Sequence, residues 1–197
     1  MLSMHRAHID AAMHGSRDRN IFGAFALMIS DDIVRASSSR APEAGPAGSA
    51  LALLAHKPGI SIRMLAVGVG LSHAGTVRLV DRLVSEGLIE RRGHSTDGRT
   101  RSIFLTSLGK TASDEVLASR DEVLAEGLSV LDAAEMKILC DIAERVLRSR
   151  LENLAQSYRI CRLCCYEGCT NCPVDDELYK RGVDRANSTS GLVDPQS

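Results

Sequence analysis

Residues 61–106 read SIRMLAVGVGLSHAGTVRLVDRLVSEGLIERRGHSTDGRTRSIFLT. Ser61 can cap a short helix carrying Ile62, Leu65 and Ala66, and the glycines Gly68 and Gly70 are expected to stop it. Ser72 can cap the next helix. On it Val77, Val80, Val84 and Leu88 share one face, while His73, Thr76, Arg78 and Arg82 fall largely elsewhere. After Gly87 the period changes, and residues 88–92 and 101–105 read as strands joined by a polar loop with the turn signal Asp97-Gly98. Helix, turn, helix and basic hairpin in that order is the plan of a winged helix, whose second helix can enter the major groove of duplex DNA.

Such a helix needs short side chains at its start so that it can approach base edges closely, and Ser72, His73, Ala74, Gly75 and Thr76 provide them. The backbone N–H groups there favour phosphate. Arg78 and Arg82, one turn apart, can reach guanine edges or phosphates, and Arg91, Arg92 and Arg101 make the hairpin basic. Arg99 can reach an adjacent minor groove, with Asp97 placed to orient it through a paired hydrogen bond. Taken singly, each of these is an ordinary solvated charge or turn; their order along the chain carries the reading. Residues 57–101 hold eight Lys or Arg against four acids, whereas 106–159 hold seven against ten. The whole chain has a net charge of only −1, so the basic surface is local.

Outward from this stretch, residues 1–16 are polar and small and are expected to form a tail. Residues 19–36 have helical periodicity, 37–48 read as a Pro- and Gly-rich loop, and 49–56 as a Leu- and Ala-rich helix ended by Lys57-Pro58-Gly59. Thr106 can cap a helix running to about Gly127. Asp132 and Glu135 make a capping box for a last long helix, with Leu131 and Met136 as its hydrophobic staple. The apolar face of that helix is expected to be Met136, Cys140, Ala143, Leu147, Leu151 and Leu154, with Cys140 a core residue. Two long amphipathic helices flanking so small a core point to a homodimer interface.

The chain of 197 residues is long enough to bury a core unaided; with no Trp and 3% aromatics, that core must be aliphatic and mainly helical. No stretch has the length of a membrane span and no signal-peptide pattern opens the chain, so a cytoplasmic protein is expected. No nucleophile elbow or phosphate loop appears, which argues against an enzyme.

Leu71-Ser72, then residues 78–83 (RLVDRL), 87–91 (GLIER), Asp97-Gly98-Arg99 and 105–109 (LTSLG) together resemble the MarR family of winged-helix transcription regulators. The match extends less specifically over 17–158. The resemblance implies a homodimer, with the first and last two helices as its dimer lobe, the fourth helix of each subunit in the major groove and its wing in the minor groove of a near-palindrome. It also implies an effector cleft between lobes for small phenolic or other ligands, or oxidant sensing through cysteines. The expected domains are a tail at 1–16, a winged-helix domain at 17–158, a Cys-rich segment at 159–182 and a disordered tail at 183–197. Within the domain, the DNA-binding part is 49–106 and the dimerisation helices are 17–36 and 107–158.

Five of the six cysteines lie in residues 161–172. Cys161, Cys164, Cys169 and Cys172 form C-x2-C-x4-C-x2-C, with Cys165 a possible substitute ligand and Pro173 following. Thiolates at a two-residue gap can converge on one metal, and no His follows His94 to make a mixed site. Spacing this tight, ending in Cys-Pro, suits an iron–sulfur cluster; zinc and a metal-free thiol switch are the alternatives. Because the cluster begins where the last dimer helix ends, its state could set the spacing of the two DNA-reading helices. The expectation is a homodimeric DNA-binding regulator, by preference a repressor, sensing redox or metal state. The alternatives are a metal-carrying protein-interaction module, or a regulator with a structural zinc staple and a small-molecule effector.

Overall fold

The hairpin and the three helices behind it hold the core. The structure, a computed structural model, describes residues 2–41, 45–93 and 101–183. Among these run α1 (Leu2–Arg40), α2 (Ala47–His56), α3 (Ile62–Val69), α4 (His73–Ser85), β1 (Ile89–Gly93), β2 (Arg101–Leu105), α5 (Ser107–Gly127), α6 (Ala133–Arg150), α7 (Leu154–Ile160) and α8 (Pro173–Lys180). This is the mainly helical architecture with one small antiparallel hairpin that the sequence implies. β1 pairs with β2 from Ile89 opposite Leu105 to Gly93 opposite Arg101. The chain before α3 joins the same sheet: Gly59 N–H donates to Ile103 O at 2.9 Å, and Ile103 N–H to Ile60 O at 3.2 Å.

Leu51, Leu54, Leu65, Leu79, Leu83, Ile89 and Ile103 are fully buried and knit α2, α3, α4 and the hairpin together. Each such side chain contributes roughly 1.5–3 kcal/mol by leaving water. The local signals are in place. Ser61, Ser72 and Thr106 cap α3, α4 and α5, and Asp132 with Glu135 forms the capping box of α6. Gly70 ends α3 at φ 73. Gly68 does not stop α3 but lies inside it, where a Cβ would stand 2.3 Å from Leu53 Cδ2 and 3.5 Å from Tyr158. Gly68 lets other elements come close.

Several expected boundaries move. α1 begins at Leu2 and runs to Arg40, absorbing the expected tail and the start of the expected loop. The break before α2 shrinks to residues 41–46, of which 42–44 lie outside the described residues. Gly48 allows this closeness, since a Cβ there would sit 2.6 Å from Ser37 O. The last long helix stops at Arg150, with Leu151 turned to ψ 116. Asn153 then caps a separate helix, α7, by accepting from Gln156 N–H at 2.9 Å, while Gln156 Oε1 accepts from Glu152 N–H at 2.7 Å. The chain folds back here because Leu151 has its own pocket among Cys161, Val174 and Leu178.

The two terminal helices take different partners. α7 lies along α3 and buries Tyr158 in the main core. α8 lies on α6, where Arg148 bonds Asp176 Oδ2 at 3.2 Å and Pro173 O at 3.3 Å. The thiols stand at the elbow between them.

Candidate nucleic-acid interface and cysteine cluster

α4 presents the surface that the sequence pointed to, with one face rotated. Ser72 Oγ accepts from Gly75 N–H at 3.1 Å, and Ser72, His73, Ala74, Arg78 and Arg82 are exposed along one side. Thr76 was expected among the DNA contacts, but it is 0% exposed and its hydroxyl donates to Ser72 O at 3.0 Å. The inward face is Thr76, Leu79, Val80 and Leu83; of the expected Val77, Val80, Val84 and Leu88, Val80 and Leu88 are buried, Val77 is half-buried and Val84 is exposed. Thr76 is a structural residue, and the groove-facing set loses one member.

The hairpin arginines have defined tasks. Arg91 reaches back to α4 and pairs with Asp81 at 2.5 Å, its side chain mostly covered. It ties the wing to the helix. Arg92 bonds Glu90 and lies over the Phe104 ring, 4.5 Å from its centroid, a cation–π contact. Arg101 stands opposite Gly93 at the base of the tip. Asp97 and Arg99, expected at the minor groove, fall in residues 94–100, outside the described residues. Sequence reasoning missed the task of Asp81, because no spacing rule links positions ten apart across a helix-to-strand turn.

That turn is built around two glycines. Gly87, at φ 70, closes α4 with Leu88 N–H bonding Leu83 O at 2.9 Å. Thr106 Oγ1 donates to Gly87 O at 2.6 Å, while Gly109 packs so tightly that a Cβ would fall 1.9 Å from Leu88 O. These contacts fix the start of α5 against the end of α4.

The cysteines are grouped as pairs. Among the described residues no three His, Cys, Asp or Glu side chains gather closely enough to hold a metal as they stand, so the four-sulfur cage expected from spacing is not preformed. Cys161 is buried and hydrogen-bonds Cys164; Cys169 hydrogen-bonds Cys172. The Cys161 hydrogen bond, helped by the Arg120 charge, lowers the Cys164 thiol to about 6 against the opposing cost of burial. Desolvation, and then the neighbouring Cys172 and Cys164, push Cys169 up to about 11. Cys164 and Cys165 both line a cleft beside Tyr166, and of the two it is Cys164 that pairs with Cys161. Cys140, expected in the core, is exposed.

That cleft, about 660 Å³, opens between α2, β2, α5 and the cysteine turn. Leu54, His56, Phe104, Lys110, Asp114 and Tyr166 line it, with the His56 and Tyr166 rings stacked at 4.6 Å. Elsewhere on the surface apolar side chains face outward. Phe22, Leu27 and Met28 do so on α1, and Ile138, Ile142 and Val146 on α6 are 59, 49 and 49% exposed. Of the face expected on α6, Cys140 and Ala143 are exposed as well and Met136 and Leu147 are half-buried, so the outward apolar surface is wider than that one stripe.

The MarR family profile matches residues 45–100. The HTH-type transcriptional regulator BilQ of Clostridium symbiosum is 31% identical over 98 residues, covering 50% of this chain and 68% of that protein. The uncharacterized HTH-type transcriptional regulator YdgJ of Bacillus subtilis is 28% identical over 104 residues, 53% of this chain and 63% of that protein, so the match spans under two thirds of that relative. Among solved structures, RV1404 from Mycobacterium tuberculosis superimposes with a TM-score of 0.58 at 22% identity, covering 68% of this chain and 92% of that one. YusO from Bacillus subtilis does so at 0.54 and 23% identity, covering 69% and 96%. At these identities the structures establish the fold alone.

Proposed function

The chain belongs to the MarR family of transcription regulators and not to an enzyme class, and from that premise we propose that it binds duplex DNA as a homodimer and represses transcription at a near-palindromic operator. The exposed side of α4 carries the proposal: short residues at the helix start, then Arg78 and Arg82 one turn apart, held beside the hairpin by the Arg91 to Asp81 pair. Ser72 to Gly75 approach base edges, the arginines bond bases or phosphates, and Arg99 enters the neighbouring minor groove. The outward apolar stripes of α1 and α6 supply the face that a second copy covers. No helix among the described residues is long and apolar enough to cross a membrane; the proposed working location is the cytoplasm, with the DNA.

The test is binding to the DNA upstream of the chain's own coding sequence, titrated over a range of salt. Arg78→Ala and Arg99→Ala should each weaken it about tenfold or more. Equal affinity of both variants and the parent chain would refute the reading.

A second reading concerns the signal. The cleft beside His56 and Phe104 has the volume of a small-molecule site and a mixed aromatic and charged lining, which favours a compact aromatic effector. Thermal-shift screening of aromatic acids against the parent chain and Phe104→Ala tests it; no stabilisation by any member would remove the effector.

A further inference from the structure

We propose that Cys161, Cys164, Cys169 and Cys172 together hold one thiophilic metal centre, a zinc ion or an iron–sulfur cluster, and that this centre locks the elbow between α3 and α6.

Three observations converge on this turn. The thiols already stand as two neighbouring pairs of free cysteines, each across a two-residue gap, the spacing at which two sulfurs can reach one metal. Between Cys169 and Cys172 the backbone at Asn171 takes φ 56, the one non-glycine positive φ among the described residues. Asn is the side chain that enters this left-handed region most readily, so the sequence itself supports a tight turn between the second pair of thiols. A further bond, Cys169 N–H to Tyr166 O at 3.1 Å, bends the chain so that the second pair returns toward the first. As they stand, the described side chains do not bring three ligands to one ion, so loading asks the second turn to close onto the first. An all-sulfur donor set selects zinc or iron–sulfur over magnesium or calcium. Each thiol that ligates releases its proton, so acid weakens binding.

The consequence follows from what lies on either side. Before the cysteines, α7 is anchored on α3 through Tyr158 and the close approach at Gly68. After them, α8 is anchored on α6 through Arg148. A centre spanning both pairs therefore fixes one anchored helix relative to the other, and its loss frees the angle between α3 and α6.

The full chain, isolated anaerobically, is analysed for zinc, iron and acid-labile sulfide. Metal-free chain is then titrated with cobalt(II) as the zinc probe and, separately, reconstituted with iron and sulfide. The expected result is about one centre per chain. Thiolate-to-cobalt charge-transfer bands identify the zinc arm, and a brown chromophore with matching sulfide identifies the cluster arm. Cys169→Ser with Cys172→Ser, both at partly exposed positions, should cut retained metal at least about tenfold, whereas Cys140→Ser and Cys165→Ser should retain it. Loading should also slow amide hydrogen exchange in α7 and α8. Failure to retain any of these metals after desalting, equal retention by the double variant, or two disulfides in the freshly isolated chain would overturn the metal site. Unchanged exchange on loading would overturn the lock. None of these measurements uses DNA, so they stand or fall apart from the DNA-binding proposal.

Discussion

A single methyl group at position 109 would collide with the Leu88 carbonyl oxygen, since a Cβ there falls 1.9 Å from it. Gly109→Ala should therefore cost about 3 kcal/mol, read by chemical unfolding, because backbone on both sides must shift. At position 76 the opposite holds for recognition. Thr76→Val keeps the buried volume and loses one hydroxyl bond, so DNA affinity should stay within about twofold of the parent while stability falls by about 1 kcal/mol. The thiols give a pH prediction. In metal-free chain Cys164, with its value near 6, is mostly thiolate above that pH, whereas Cys169 stays protonated until about 11. Alkylation at pH 7, followed by peptide mass mapping, should label Cys164 about tenfold or more faster than Cys169, the larger thiolate fraction outweighing its lower intrinsic nucleophilicity. Which residues α4 leaves exposed was largely legible, because helix caps and charged side chains are local signals. Thr76 was misread because its hydroxyl turns back onto Ser72, which spacing does not reveal.

Helix α6 shows what periodicity alone leaves open. Its sequence offers more than one apolar stripe, and the stripe left outward depends on which side other elements cover. Ile138, Ile142 and Val146 are outermost once α8 has taken the Arg148 side. A charge on that stripe should break the proposed dimer. Ile142→Asp should give monomers by light scattering and lose at least about tenfold in operator affinity, with the fold of each monomer intact by circular dichroism. α4 misled in the same way, since Val77 and Val84 extend an apolar stripe whose inner edge alone is buried. The end of α6 was legible and missed: Asn153 followed three residues later by Gln156 is a helix-start signature. So was α8, which opens with Pro173 and the acids Asp175 and Asp176 in its first turn. The capping boxes and turns were read correctly wherever they stood alone; where an apolar run continued through one, the run was given too much weight.

Across the molecule, the expected division into a winged-helix domain ending at 158 and a separate cysteine segment gives way to one continuous packing. Tyr158 lies in the main core, and Leu163 packs beside Ala52 and Val116. Contacts this far apart in sequence are invisible to local patterns. If the proposed centre and dimer hold, stripping the metal should alter operator affinity by about fivefold or more at fixed salt, the range of ordinary coupling between sites. Anisotropy titration of loaded and stripped protein measures it, and identical curves would leave the centre a purely structural staple. One further implication comes from Tyr166, which forms part of the cleft wall against His56 and is itself the acceptor in the bend that returns Cys169. An aromatic guest in that cleft and a metal on those sulfurs would then share a hinge pin. Thermodynamic reciprocity requires that if the guest strengthens metal retention by some factor, the metal strengthens the guest's hold equally. Two chemical messages could be multiplied within one subunit before any promoter is touched.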